Sequence, residues 1–205
     1  TIQEIIKRVL DCKLPNDISK EIIIIDNNSN DGTKKILDEY KDKNNFKIIY
    51  QSRNMGKGNS LRRGIENASG DLIIFQDADL EYNPEEYINL INLMILEKLD
   101  AVFGSRVLKN HSFHIYKLNK FAVIFLTFII NYLFSTNYTD TATNYKLCKR
   151  DILKKLSLNS NFFNIDFEIA CKLAKYKYKI KETKISYNPR RYEDGKKINF
   201  IAVIY

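Results

Sequence analysis

The sequence predicts an α/β domain with a mostly parallel sheet flanked by helices. Four short apolar runs in the first half are unbroken rather than alternating, as is typical of strands covered on both faces: residues 22–25, 46–50, 72–75 and 101–103. Segments with helical spacing separate these runs, at residues 33–40, 58–67 and 85–96. The alternating order of strands and helices is that of a sheet built with helical crossovers.

The helix predicted at 85–96 has a clear beginning, since Asn83 can cap it and Pro84 suits its first turn. In the second half, residues 167–176 have helical spacing, and residues 179–187 alternate as a half-exposed strand does. We see no internal repeat and no linker, so residues 1–205 are expected to form a single domain. The chain opens with residues typical of a helix interior, and we therefore expect it to be incomplete at its N-terminus.

An apolar stretch at residues 121–134 has two open interpretations. It is shorter than the roughly 20 residues that a bilayer-spanning helix needs. One interpretation is a core helix. The other is a helix over residues 116–134 that lies in a membrane interface, with Lys117, Lys120, Tyr116 and Tyr132 at its polar edge.

Composition narrows the function classes only a little. The 205 residues are 44% hydrophobic, which suffices for one core, and 33 Lys and Arg against 25 Asp and Glu give a net charge of +8. A basic chain favours anionic partners. The basic residues are scattered without a recognition motif, so we expect no nucleic-acid binding.

The cysteines indicate a reducing compartment. Cys12, Cys148 and Cys171 are odd in number and include no Cys-x-x-Cys pair, which argues against a disulfide framework or a zinc knuckle. No basic-then-apolar leader opens the sequence. A cytoplasmic location is therefore expected.

An acidic cluster follows the third apolar run. Asp77, Asp79 and Glu81 stand at alternate positions, and alternation in an extended chain brings such side chains to one side. They are expected to converge on one Mg²⁺ or Mn²⁺ ion, which neutralises their repulsion and bridges them to a diphosphate. The alternative is a solvated acidic turn leading to the Asn83 cap.

Three further polar turns stand near the ends of predicted strands. Residues 26–33 carry short polar side chains suited to contacting a nucleobase or ribose. Residues 53–59 form a basic turn with two glycines that opens a helix, a setting that favours phosphate, although Lys57 does not stand in a P-loop pattern. Arg106 follows the fourth apolar run. Ligands bind at the carboxyl ends of strands in such sheets, so these turns are expected to form one site.

These motifs, in this order, resemble the inverting GT-A-fold glycosyltransferases of the dolichyl-phosphate mannose synthase and polyprenyl-phosphate sugar transferase type. The resemblance spans essentially the whole chain. Its motifs are Asp26-Asn-Asn-Ser-Asn-Asp-Gly-Thr33, Asn54-Met-Gly-Lys-Gly58, Gly70-Asp71, Asp77-Ala-Asp-Leu-Glu81, Gly104-Ser-Arg106, Thr139-Asp-Thr-Ala-Thr-Asn-Tyr-Lys146, Phe167-Glu-Ile169 and Tyr187-Asn-Pro-Arg-Arg-Tyr-Glu-Asp-Gly-Lys-Lys-Ile198.

The resemblance implies a role for each matching residue. Asp79 is the principal ligand of Mg²⁺ or Mn²⁺, with Asp77 and Glu81 beside it, and Arg106 faces phosphate. The residues implied on the nucleotide-sugar side are Asp26, Asn27, Lys57, Gly58, Asp77 and Ala78. Those implied on the side of the anionic acceptor or donor are Arg190, Lys196 and Lys197.

The sequence departs from the family pattern in three places. The family opens with a strand and a base-pocket turn that would precede Thr1, so the sheet is expected to lack its first strand in this chain. Asn27 replaces the commoner second Asp, which turns a carboxylate acceptor into an amide. Asn144 stands where Gly is usual, a change that a left-handed backbone tolerates.

The expected acceptor follows from the chemistry of the nucleophile. A hydroxyl requires a general base, whereas a phosphate monoester is mostly dianionic at pH 7 and requires none. His111 and His114 fall in a polar loop and are expected at the surface. A polyprenyl-phosphate acceptor at the cytosolic face of a membrane is therefore expected, which would give the 116–134 helix a purpose.

Asp140 has three open roles: general base, acceptor-positioning residue, or part of a capped turn before Tyr145. Two other functions also stay open at this point. One is a transferase with a saccharide acceptor and Asp140 as its base. The other is a catalytically silent module that binds nucleotide or docks on a membrane.

Overall fold

The computed structural model describes residues 1–15, 18–108 and 117–190, with only the backbone of 117–119. The described strands are β1 (Ile22–Asp26), β2 (Phe46–Tyr50), β3 (Leu72–Ile74), β4 (Ala101–Ser105), β5 (Lys146–Lys149) and β6 (Ile180–Lys184). The described helices are α1 (Ile2–Asp11), α2 (Thr33–Asp38), α3 (Lys57–Asn67), α4 (Tyr87–Glu97), α5 (Lys117–Phe134), α6 (Arg150–Lys155) and α7 (Ile165–Lys175). A 3₁₀ turn at Pro84–Glu86 precedes α4, and the Asn83 side chain caps it by accepting from the Glu85 amide at 3.2 Å.

The strands form two sheets. β1 and β2 pair in parallel, with Ile22 opposite Phe46 and Asp26 opposite Tyr50. The other four strands lie in the order β3-β5-β4-β6, in which β5 is antiparallel to both of its neighbours and β4 is parallel to β6. All four apolar runs predicted as strands are strands, as is the alternating segment in the second half.

Helices cover both faces of the four-stranded sheet. Ala101 and Phe103 of β4 point into a core formed with α5, α6 and α7, whereas Val102 points into a second core formed with α1 and α4. This explains why the apolar run is unbroken, since alternate side chains enter opposite cores. The α/β class with flanking helices is confirmed.

The sheet is more mixed than expected, because the sequence analysis did not find β5. Among the described strands, two pairs are parallel and two are antiparallel. β5 is only four residues long and begins and ends with lysines, Lys146 and Lys149, so it shows no apolar run. The strand expected upstream of Thr1 stays a prediction.

Helix α5 has one buried face and one exposed apolar face, and its position in a membrane interface stays a prediction. Ala122, Val123, Thr127 and Ile130 are buried against the domain. Its outer face is apolar and exposed through Phe121, Ile124, Phe125, Phe128, Tyr132 and Leu133, each more than half accessible. None of the helices in the described ranges has the length and apolar character that crossing a membrane requires.

The N-terminus of α3 packs closely against the loop at residues 158–162. The Asn59 amide donates to the Asn161 carbonyl at 3.2 Å, and Arg62 Nη1 donates to the carbonyls of Leu158 and Asn159 at 3.1 and 3.0 Å. Glu168 of α7 holds the same loop by accepting from the amides of Asn159 and Ser160 at 2.9 and 2.8 Å.

These contacts also stabilise the ionised form of Glu168. Although burial opposes the effect, hydrogen bonds from Lys172 and from the loop amides lower the pKa of Glu168 to about 2. The loop is thus fixed between a carboxylate on one helix and an arginine on the other.

Two glycines of α3 provide a matched pair for testing this contact. A Cβ at Gly58 would lie 2.8 Å from the Ser160 carbonyl carbon and overlap its oxygen, whereas a Cβ at Gly64 would meet only Ile25 Cγ1 at 3.9 Å. Gly58→Ala is expected to lower the free energy of unfolding by about 1–3 kcal/mol, the usual cost of overpacking. Gly64→Ala is expected to raise it by up to about 1 kcal/mol through helix propensity. Urea unfolding monitored by circular dichroism measures both, and equal effects would contradict the close approach at Gly58.

Candidate active site

The turn that follows β1 forms one side of the candidate site. Asp26 ends β1 and is buried, and both of its carboxylate oxygens accept from the Ser29 amide at 3.2 Å. Asn27 Oδ1 accepts from the Met55 amide at 2.8 Å, and its Nδ2 donates to Asn54 Oδ1 at 2.8 Å. Asn54 Oδ1 also accepts from the Gly56 amide at 3.0 Å.

Asn27 therefore joins the two turns that the sequence assigned to the nucleotide. An aspartate at position 27 would have no N–H to donate to Asn54, so the amide has a local structural use. The contact of Asp26 and Asn27 with a base stays a prediction. Gly58, expected beside the nucleotide, packs against the Ser160 carbonyl.

Lys57 lies at the start of α3, between two carboxylates. Its Nζ is 3.1 Å from Asp166 Oδ2 and 3.3 Å from Asp77 Oδ2. Burial lowers the pKa of Lys57, but the charges of Asp166 and Asp77 outweigh burial and raise it. Lys57 is therefore a fixed cation at the edge of the acidic cluster.

A second buried lysine completes this network. Lys146 is fully buried, and its Nζ lies 3.5 Å from Asp166 Oδ1 and donates to the carbonyls of Thr141 and Thr143. Burial lowers the pKa of Lys146. Asp166 is thus shared between two lysines from different parts of the chain.

The acidic cluster is arranged differently from the sequence expectation. Within the described residues, no three Asp, Glu, His or Cys side chains form a group that could hold a metal ion. Asp77 turns toward Lys57, and Glu81 is engaged by Tyr187 and Arg190. These carboxylates thus have partners within the protein, and their expected convergence on one ion stays a prediction.

Asp79 nevertheless has the properties of a cation ligand. Burial, and then the neighbouring charges of Asp77 and Glu81, raise the pKa of Asp79 to about 6. A cation already approaches it, since Arg190 Nη2 lies 2.9 Å from Asp79 Oδ2. A divalent ion fits this environment, because Mg²⁺ and Mn²⁺ are commonly held by one or two carboxylates together with phosphate oxygens.

Arg106 and Asp140 form a buried ion pair beyond β4. Nε and Nη2 of Arg106 donate to Oδ2 and Oδ1 of Asp140 at 2.6 and 2.7 Å, and the Arg106 amide adds a bond of 3.2 Å. Asp140 is fully buried, and although burial opposes the effect, Arg106 lowers its pKa. The Arg106 guanidinium also lies 5.0 Å from the centroid of the Tyr187 ring.

Glu182 of β6 binds the backbone of the segment that carries Asp140. Its carboxylate accepts from the amides of Thr139 and Asp140 at 2.7 and 3.1 Å and from the Thr139 hydroxyl at 2.8 Å. Burial raises the pKa of Glu182. The segment that carries Asp140 is thus fixed from two sides.

Several features of the site were not found from sequence: Lys146 as a charge partner, Asp166, Glu182, and the hydrogen bond from Tyr187 to Glu81. Asp166 lies in the first turn of α7, where acidic residues are common because they interact favourably with the helix dipole. Its sequence position therefore does not indicate a site residue. Glu182 lies in an alternating strand, where a charge reads as solvent-facing. The expected contact of Ala78 with the donor stays a prediction. Lys196, Lys197, His111 and His114 lie outside the described residues.

Comparison with known proteins identifies the family. The model of the family described as "Glycosyl transferase family 2" matches residues 1–157. The chain belongs to glycosyl transferase family 2. The prediction of a glycosyltransferase is thereby confirmed at the level of the family.

The chain is also similar to individual proteins of this family. The chain is 30% identical over 197 residues to the poly-β-1,6-N-acetyl-D-glucosamine synthase of Staphylococcus epidermidis, an alignment that covers 93% of this chain and 45% of the synthase. The chain therefore spans less than half the length of that family 2 relative.

Solved structures confirm the GT-A fold. A mannosyltransferase of Pyrobaculum calidifontis, in complex with GDP-mannose and Mn²⁺, superposes with a TM-score of 0.65 at 17% identity over 93% of this chain and 54% of that chain. The glucosyl-3-phosphoglycerate synthase of Mycobacterium tuberculosis, in complex with Mn²⁺, UDP and phosphoglyceric acid, gives 0.66 at 14% identity over 95% and 68%.

The buried ion pair of this family 2 domain predicts a large effect of one substitution. Asp140→Asn removes the negative charge that accepts from Nε and Nη2 of the buried Arg106, and we expect a loss of about 3–5 kcal/mol in the free energy of unfolding. Asp151→Asn is the control, because Asp151 is exposed and pairs only with its neighbour Arg150, so about 0.5 kcal/mol or less is expected. Chemical denaturation of both variants measures the difference, and a loss below about 1 kcal/mol for Asp140→Asn would show that the pair is dispensable.

Proposed function

We propose that the protein is a metal-dependent inverting glycosyltransferase that moves a sugar from a UDP- or GDP-linked donor to a polyprenyl phosphate at the cytosolic face of a membrane. The observation that carries this proposal is the buried ion pair of Asp140 with Arg106. The two carboxylate oxygens of Asp140 are both taken by Arg106, so Asp140 is not available as a base. A phosphate acceptor needs no base.

The donor side of the proposal rests on the edge formed by the turn after β1, the start of α3 and the acidic cluster. Asp77 and Asp79 would hold Mg²⁺ or Mn²⁺, and the ion, when bound, stabilises the charge of the leaving diphosphate. Lys57 adds a fixed positive charge at the same edge, since it is held between Asp77 and Asp166. The structural relatives that contain Mn²⁺ with GDP-mannose or with UDP support this arrangement.

Arg106 contributes to the same electrostatics in a different way. It is buried, so its charge acts through a medium that screens it less than water does. Asp140 orients the guanidinium by two parallel hydrogen bonds, and Tyr187 packs against it. Arg106 is thus oriented before any ligand arrives, as electrostatic stabilisation of a transition state requires.

The membrane part of the proposal rests on α5. Its exposed face is rich in phenylalanine and also carries Ile124, Leu133 and Tyr132, while Lys120 is exposed near its beginning. Such a face, in a chain of net charge +8, suits the interface of an anionic bilayer. A lipid phosphate in that bilayer would then be presented to the domain from the α5 side.

A saccharide acceptor is the second candidate. It is favoured by the 30% identity to a synthase whose name describes a polysaccharide product. In that case a carboxylate would have to be released from its present partners to act as a base. The two candidates differ in the physical form of the product, which makes them separable in one assay.

We expect full-length protein with Mn²⁺ to transfer label from a UDP- or GDP-sugar to polyprenyl phosphate, giving a product that extracts into organic solvent. Asp79→Asn is expected to lower the rate by about 100-fold or more, because it removes a charge that holds the metal. Asp42→Asn, at an exposed aspartate in the turn before β2, is the matched control and should retain activity. Label in a water-soluble saccharide instead would select the second candidate, and nucleotide binding without any transfer would indicate a silent module.

The α5 face predicts binding to vesicles of phosphatidylglycerol and phosphatidylcholine. The double variant Phe125→Asp and Phe128→Asp places two charges on the exposed face, and we expect it to weaken cosedimentation with the vesicles by about tenfold or more. Leu96→Asp, at an apolar residue of α4 that is still more exposed, is the control and should bind as the wild type does. Equal binding of all three proteins would refute membrane docking through α5.

A further inference from the structure

The segment at residues 187–190 follows β6 and lies across the acidic cluster. Arg190 Nη2 is 2.9 Å from Asp79 Oδ2, and Arg190 Nε is 3.4 Å from Glu81 Oε1. A guanidinium therefore bridges the two carboxylates that the sequence assigned to a metal ion. It offsets the mutual repulsion of Asp79 and Glu81.

Glu81 is the anchor of this segment. Its Oε1 accepts from the Arg190 amide at 2.9 Å, and its Oε2 accepts from the Tyr187 hydroxyl at 2.5 Å. Its backbone carbonyl accepts from the Asn188 amide at 2.9 Å. Glu81 is itself buried, so these bonds form away from bulk water.

The two carboxylates hold Arg190 in different ways. Glu81 binds the backbone and the near end of the side chain, whereas Asp79 binds only the tip of the guanidinium. The side chain of Arg190 is 31% accessible and that of Asp79 is 21% accessible, so there is room for the tip to leave while the backbone stays.

A divalent ion on Asp79 would compete with Arg190. The ion and the guanidinium would share the Asp79 carboxylate, and their like charges would repel each other. Once displaced, an arginine tip near a bound diphosphate has a better partner, because its planar fork matches phosphate oxygens. Glu81 would meanwhile remain occupied by Tyr187 and by the Arg190 amide.

We propose that Arg190 is an internal cation that occupies the metal position on Asp79 until a divalent ion displaces it toward the donor diphosphate, and that Glu81 is a positioning residue for Arg190. This inference rests on the proposed function, since it takes the ion and the diphosphate from there. It gives Glu81 a role other than that of a third metal ligand.

The test measures Mn²⁺ binding to the full chain without nucleotide, by the electron paramagnetic resonance of free Mn²⁺. Arg190→Gln removes the competing charge, and we expect Mn²⁺ to bind about 3- to 10-fold more tightly than to the wild type. Arg63→Gln removes an exposed charge from α3 and is the matched control, with unchanged affinity expected. Tyr187→Phe, which changes no charge but loosens the anchor on Glu81, should tighten binding about 2-fold.

A second titration adds UDP or GDP at saturating Mn²⁺. Arg190→Gln should weaken nucleotide binding severalfold, because the displaced guanidinium no longer reaches the diphosphate. The inference is overturned if Arg190→Gln binds Mn²⁺ as the wild type does, more weakly, or not at all, or if Tyr187→Phe leaves the affinity unchanged. Neither titration depends on a sugar or an acceptor, so a failed transfer assay and a failed displacement are seen separately.

Discussion

The buried pair of Arg106 and Asp140 is the interaction on which the second half of the site depends. Two charges out of water are tolerated only with close geometry and satisfied remaining bonds, and both conditions are met here. Glu182 adds a third charge from β6, bonded to the backbone of the Asp140 segment. Residues from three distant parts of the chain thereby meet at the end of β4.

Among the described strands, no strand of one sheet pairs with a strand of the other. The two sheets are therefore connected by side-chain contacts. β1 and β2 pair only with each other, so the turn after β1 is positioned against the four-stranded sheet by other means. Lys57 joins α3 to Asp77 and Asp166, and the 158–162 loop packs on the same helix end. α3 also buries Ile65 in the core of the four-stranded sheet, so apolar packing and these polar contacts together set the spacing between the donor turn and the acidic cluster.

Much of the fold was predictable because the buried strands have continuous apolar runs, the helical segments have helical spacing, and Asn83 caps the turn that precedes α4. β5 was not, since four residues bounded by Lys146 and Lys149 carry no such pattern. The positions of Asp26, Asp79 and Arg106 at strand ends followed from the topology. The long-range contacts of the site did not, because Asp166 reaches Lys57, Glu182 reaches the Asp140 segment and Arg190 reaches Asp79 from far away in sequence. Local pattern does not encode such pairing.

The position of β5 between β3 and β4 has a consequence for how the chain folds during synthesis. Among the described strands, residues 72–74 pair with residues 147–149, and β4 pairs with β5 and β6, which also come later in the chain. Such non-local pairings slow folding, because a long loop must close before the contacts that stabilise it exist. The apolar strands β3 and β4 therefore leave the ribosome well before their partners, and during that interval they are the segments most exposed to chaperones and to aggregation.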